Sequence, residues 1–147
     1  MDLQNLITTI AAKSEVLKNK IIGSHKTKLS YTCIFAQNAQ QHEQIEAQLE
    51  KIGRIVDATT TGNVYMIQPI ETAAGPARIV KNRRPDPTRT ELGDCDFELD
   101  DYAKFKGANI GNPGFSLINR PAAEMIEYME RGGEVRLYFS NPPVSFE

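Results

Sequence analysis

Leu29-Ser-Tyr-Thr-Cys-Ile-Phe-Ala36 and, 65 residues further on, Asp94-Cys-Asp-Phe-Glu-Leu99 are the stretches on which the fold turns. The first is β-branched and aromatic enough to predict a largely buried strand. The second alternates polar with apolar side chains, the period of a strand with two unlike faces. Each is followed by a helix and then by three more strands. After the first, the pattern predicts a helix over 39–52 with Ile45, Leu49 and Ile52 on one face and Gly53 at its end, then strands over 54–59, 63–70 and 77–83. Thr61-Gly-Asn63 and Ala74-Gly-Pro76 supply the turns between them. After the second, Asp100 or Asp101 caps a short helix carrying Tyr102 and Phe105, Gly107 to Gly114 form a loop, and strands follow over 115–120, 123–129 and 134–140. Corresponding strands begin 65, 61, 60 and 57 residues apart. The order strand, helix, strand, strand, strand therefore occurs twice, which marks an internal repeat.

Outside the repeat, Asp2 caps an amphipathic helix in which Leu3, Leu6, Ile7, Ile10, Leu17 and Ile21 recur mostly at three- and four-residue steps before Gly23 stops it. Pro85-Asp-Pro-Thr-Arg-Thr90 excludes helix interior and central strand, and reads as a linker. The expectation is a single α+β domain: an N-terminal helix over 1–24, a first βαβββ module over 28–84, a linker over 85–92 and a second module over 93–141.

Composition narrows the class. The 147 residues carry 17 Lys and Arg against 19 Asp and Glu, a net charge of −2, so the chain lacks the positive balance of a DNA-backbone binder. No apolar run approaches the roughly 18 residues of a membrane span, and the N-terminus lacks the order of a signal peptide. A cytoplasmic protein without membrane or nucleic-acid partners is expected. Cys33 and Cys95 are too few for a disulfide framework and are expected as reduced core thiols. His25 and His42 have no metal-ligand spacing. The sequence contains no G-x-S-x-G elbow, G-x-x-x-x-G-K-[ST] loop or G-x-G-x-x-G fingerprint, which disfavours serine hydrolases, P-loop nucleotidases and Rossmann dehydrogenases.

On its paired βαβββ order the chain resembles the vicinal oxygen chelate superfamily, which includes glyoxalase I, extradiol dioxygenases and bleomycin-resistance proteins. The resemblance covers about Leu29 to Ser140. It implies modules that curl into half-barrels, a curved mixed sheet with helices outside, an inner ligand cavity and a possible homodimer. Tyr31-Thr-Cys-Ile34 and Asp96-Phe-Glu-Leu99 stand where the family's first strands usually carry His followed by alternating apolar residues. Members commonly bind a divalent metal through His, Gln and Glu on the first and last strands of the modules. Here Tyr31 and Asp96 occupy the first-strand positions, while the last strands carry Arg78, Lys81 and Arg136. Arginine cannot ligate a metal and lysine would have to lose its proton, so no metal and no cofactor are expected.

Strand alternation puts Asp94, Asp96 and Glu98 on one side and Cys95, Phe97 and Leu99 on the other. With the apolar side under the helices, the three acids face the expected cavity, where mutual repulsion can create a general acid or base. The alternative is a hydrated outer face. On the last strand Glu134, Arg136 and Tyr138 alternate in the same way, and Arg136 suits Asp96 or an anionic ligand. Tyr31 is expected on the face of Leu29, Cys33 and Phe35. Lys81-Asn-Arg-Arg84 with Arg89 is a basic cluster, read as a solvated face or an anion contact at the pocket mouth.

Three functions follow. The first is a metal-free pocket protein for an anionic small molecule, with Tyr31, Arg78, Lys81, Asp94, Arg136 and Tyr138 as ligand-binding residues. The second is a lyase or isomerase with Asp96 or Glu98 as catalytic base and Arg136 or Lys81 stabilising the oxyanion. The third is an interaction protein that associates through the N-terminal helix.

Overall fold

The computed structural model describes residues 2–146. Helix α1 (Leu3–Ile21) begins where the Asp2 carboxylate accepts from the Gln4 amide. It ends in the lysine-bearing turn of Lys18 and Lys20, and Gly23 follows at φ +62°, the left-handed region in which a Cβ is strained. The first module consists of β1 (Thr27–Phe35), α2 (Ala39–Ile52), β2 (Gly53–Thr59), β3 (Gly62–Thr72) and β4 (Gly75–Arg83). The second consists of β5 (Gly93–Leu99), α3 (Tyr102–Asn109), β6 (Phe115–Asn119), β7 (Glu124–Tyr128) and β8 (Val135–Asn141). Expected and observed strand limits agree within a residue or two.

The eight strands form one mixed sheet in the order β2-β3-β4-β1-β5-β8-β7-β6. Within each module the first strand runs parallel to the last, β1 to β4 and β5 to β8. The modules meet where β1 and β5 pair antiparallel. The protein is thus α+β, two copies of βαβββ joined through their first strands.

All three helices lie on one face. Ile7, Ile10, Ala11, Leu17, Ile45, Leu49, Cys95, Phe97, Leu137 and Phe139 are buried together in the resulting core. Helix α1 crosses the junction, packing on β1, β3, β5 and β8. It comes so close to Gly93 that a Cβ there would stand 2.9 Å from Ile10 Cδ1 and 2.1 Å from the Cys33 carbonyl oxygen. The apolar stripe of α1 is therefore already covered, and association through it would require undocking. Helix α2 is fixed differently: its Glu46 carboxylate accepts from Asn63 Nδ2, Tyr65 OH and Asn82 Nδ2, each at 2.7 Å. Burial alone would raise the Glu46 pKa, but these hydrogen bonds hold it below the usual carboxylate range. Phe105 of α3 packs on Phe139 with ring centroids 4.9 Å apart.

Two expectations change. A register shift between Leu29 and Tyr31 places Leu29 opposite Phe97 and Tyr31 opposite Asp96. Leu29 therefore points to the helix side while Tyr31 keeps company with the acids, because a bulge breaks the two-residue period. The basic stretch is also not a solvated face: Lys81 and Asn82 are buried, Arg83 is half-buried, and Arg84 is exposed.

Candidate functional site

The helix-free face is built from cross-strand rows. Register places Lys81, Cys33, Asp94 and Arg136 side by side across β4, β1, β5 and β8. The next row holds Tyr31, Asp96, Tyr138 and Glu127 across β1, β5, β8 and β7. Alternation on four different strands thus assembles one polar surface from residues far apart in sequence.

One end of this surface is closed by the segment read as a linker. Glu91, itself buried, takes one edge of the Arg136 guanidinium: Nε donates to Oε2 at 2.6 Å and Nη2 to Oε1 at 3.1 Å. Arg136 Nη2 also donates to the Thr88 carbonyl at 3.1 Å. Arg89 Nη1 donates to Tyr138 OH at 3.3 Å, and its guanidinium lies 5.2 Å from the Phe35 ring centroid. Gln37 Nε2 holds the segment down through the carbonyls of Arg89 and Glu91. The expected Arg136–Asp96 pair is therefore not made, because a bidentate carboxylate from residue 91 satisfies the guanidinium first. Burial opposes the charge on Arg136, yet its hydrogen bonds to Glu91 and Tyr138 raise its pKa above the ordinary value.

Beneath that cover sit the two aspartates. Asp94 and Asp96 are 6% and 2% exposed, which removes the hydrated-face alternative for both. Ser140 Oγ donates to Asp96 Oδ2 at 2.6 Å, while Asp96 Oδ1 is buried without a hydrogen-bond partner. Burial pushes the Asp94 carboxyl up to about 8, reinforced by Asp96 and opposed by Arg89, Lys81 and Arg83. Burial likewise pushes Asp96 up to about 7 against the Ser140 hydrogen bonds. Burial raises Tyr31 and Cys33 well above their usual values; Cys33 and then Asp94 add to the shift of Tyr31, and Asp94 to that of Cys33. Lys81 is lowered by burial, and its Nζ donates to Thr61 Oγ1 at 2.5 Å.

At the other end the same face opens into a cavity of about 720 Å³. Tyr31, Arg78 and Glu98 line it, with Met66 and Ile79 from the sheet and Val144 and Phe146 from the C-terminal segment. Asp94, Asp96, Lys81, Arg136 and Tyr138 are not on its lining; they lie along the face beyond Tyr31, toward the 84–92 cover. Of the expected residues, then, three reach open space and five form the buried polar layer next to it. The sequence alone did not single out Ser140 and Glu127, although strand alternation puts Ser140 on the face of Arg136 and Tyr138 and pairing puts Glu127 beside Tyr138. Glu91 and residues 143–146 carry no local signal of their role. A smaller hollow of about 550 Å³ lies between the start of α1, the end of α2 and β3, away from the polar rows.

The fold resemblance implies a divalent metal on the first and last strands, and the donor set does not fit one. Those positions present a phenol, the single buried carboxylate of Asp96, an ammonium held by Thr61, and two guanidiniums of which one is already bonded to Glu91, so one carboxylate stands among cations where a ligand set is needed. No group of three His, Cys, Asp or Glu among the described residues could hold a metal ion. No helix of the described residues is long and apolar enough to cross a membrane.

Neither the known protein families nor the curated proteins provide a match to this sequence. Among solved structures, the structural-genomics protein EC4020 matches with a TM-score of 0.67, covering 99% of this chain and 92% of its own, at 14% identity. Similarity at that identity is one of fold, and a shared fold leaves function open.

Proposed function

We propose that this chain is a small-molecule-binding protein of vicinal oxygen chelate type, which takes an anionic ligand into the cavity of its helix-free face without a metal. The observation that carries the reading is the cavity's chemistry. Arg78 makes no ion pair or hydrogen bond among the described residues, and Tyr31 offers a phenol with no hydrogen-bond partner among them. An unpaired guanidinium and a free hydroxyl beside apolar walls are the few orienting groups a small-molecule site uses. The volume falls within the several hundred cubic ångströms usual for such sites. Thermal-shift screening of sugar phosphates, dicarboxylates and aromatic acids tests it, since a ligand selective for the folded state raises apparent stability. The reading fails if no anion shifts the melting temperature, and metal analysis finding one divalent ion per chain would overturn its metal-free part.

A second reading, a lyase or isomerase, is favoured by one observation: Asp94 and Asp96 are buried side by side, which pushes their carboxyls up to about 8 and about 7, toward the range in which a general base works best. Glu98 reaches the cavity directly, whereas Asp96, the cross-strand neighbour of Tyr31, does not line it. A turnover whose pH dependence disappears in Asp96→Asn, with the circular dichroism spectrum retained, would support this second function.

A further inference from the structure

The cavity is unequally furnished, and the inequality bears on what it holds. Among the described residues its charged lining consists of Lys28, Arg78 and Glu98. Lys28 and Glu98 are direct cross-strand neighbours, and with Arg78 they sum to one net unit of positive charge among the described lining residues. The rest of the lining is mixed: Thr27, Ser30, Thr32 and Ser145 are polar, and Met66 and Ile79, themselves cross-strand partners, contribute apolar surface together with Val144 and Phe146. A net lining charge of one matches one negative charge, whereas a phosphate dianion would leave half its charge unmet and the apolar part of the lining wet.

From this, resting on the anion-binding reading above, we infer that the ligand is a monocarboxylate with an aromatic or branched apolar body. Its carboxylate lies against Arg78 and accepts from the Tyr31 phenol. Its body lies against the apolar part of the lining, Met66 and Ile79 of the sheet and Val144 and Phe146 of the C-terminal segment. Residues 143–146 are thereby the specificity-determining wall, because removing them returns the body of the ligand to water while leaving Arg78 in place.

Calorimetric titration of the full chain with phenylacetate, phenylacetamide, acetate and inorganic phosphate tests this, together with Arg78→Gln and a chain ending at Pro142. Arg78 is exposed, so the variant is expected to fold, and circular dichroism with Arg78→Lys as a second variant checks that. Phenylacetate should bind at least about tenfold more tightly than each other probe, and Arg78→Gln should remove about tenfold of that affinity. The shortened chain should bind phenylacetate no better than acetate. Undiminished phenylacetate binding by the shortened chain overturns the wall. Phosphate binding more tightly than phenylacetate, and depending on Arg78, overturns the monocarboxylate but leaves the anion reading standing. Absence of binding by every probe, together with a silent thermal-shift screen, overturns both.

Discussion

At the scale of single residues, Asp94 and Asp96 set the pH behaviour of the fold. Their folded-state pKa values lie above those of carboxylates in an unfolded chain, so the native state holds protons that the unfolded state has already released. Their contribution to stability is complete below about pH 4 and is lost as pH rises through about 7 and 8. Thermal melts of Asp94→Asn should therefore fall less steeply than those of the parent between about pH 5 and 8.5, and the variant should be the more stable protein at the upper limit, by an amount on the order of a few kcal/mol. Parallel curves would show that Asp94 titrates normally. Arg136 acts in the opposite sense, as the partner of a buried acid. Arg136→Met leaves the Glu91 carboxylate buried and unpaired, with an expected loss of about 3–5 kcal/mol in urea unfolding. Adding Glu91→Gln should recover much of it, since the stranded charge rather than the missing contact is the cost.

Elements are joined by two unlike devices. Helix α2 is tied to the sheet by one carboxylate with three donors, of which Asn82 and Tyr65 belong to buried residues. Glu46→Ala strands those donors, and chemical denaturation should show a loss of about 3 kcal/mol, the size of a charge-assisted hydrogen-bond set left unmade. Helix α1 is tied by apolar packing and by a glycine that permits close approach. Gly93→Ala drives a Cβ into the Cys33 carbonyl, which belongs to backbone and cannot swing aside. A destabilisation of about 3 kcal/mol is expected in the same measurement. The helix positions were legible because capping residues and apolar periodicity are local: Asp2 and Asp101 cap as their side chains allow, and Ile45, Leu49 and Ile52 mark the face of α2. The face of Leu29 was not legible, because the bulge that turns it depends on pairing with β5.

For the whole molecule, the β1–β5 seam and α1 decide whether either module can stand alone. Helix α1 precedes the first module yet packs on β5 and β8 of the second. A fragment of residues 87–147 would expose the face of Cys95, Phe97 and Leu137 that α1 and its neighbours cover. Fragments 1–86 and 87–147 are expected to be largely unfolded separately and to regain ordered secondary structure when mixed, as circular dichroism can follow. A second fragment that folds cooperatively by itself would show that α1 is dispensable to the core. The segment between the modules also gains its meaning only here. Its prolines correctly exclude regular structure, but nothing local says that Glu91 and Arg89 turn back over the polar rows.

What the amino-acid order determined by itself is the repeated βαβββ sequence of elements, their approximate limits, and the common face of Asp94, Asp96 and Glu98 with that of Arg136 and Tyr138. Those follow from backbone preferences and a two-residue period, which act over a few neighbours. The tertiary structure decided which of these groups meet open space and which partner each one takes. Arg136 chose Glu91 over Asp96, the two aspartates were covered, and Tyr31, Arg78 and Glu98 were left at a cavity walled in part by residues 143–146. Burial and charge pairing depend on segments brought together from across the chain, and no short stretch contains that information.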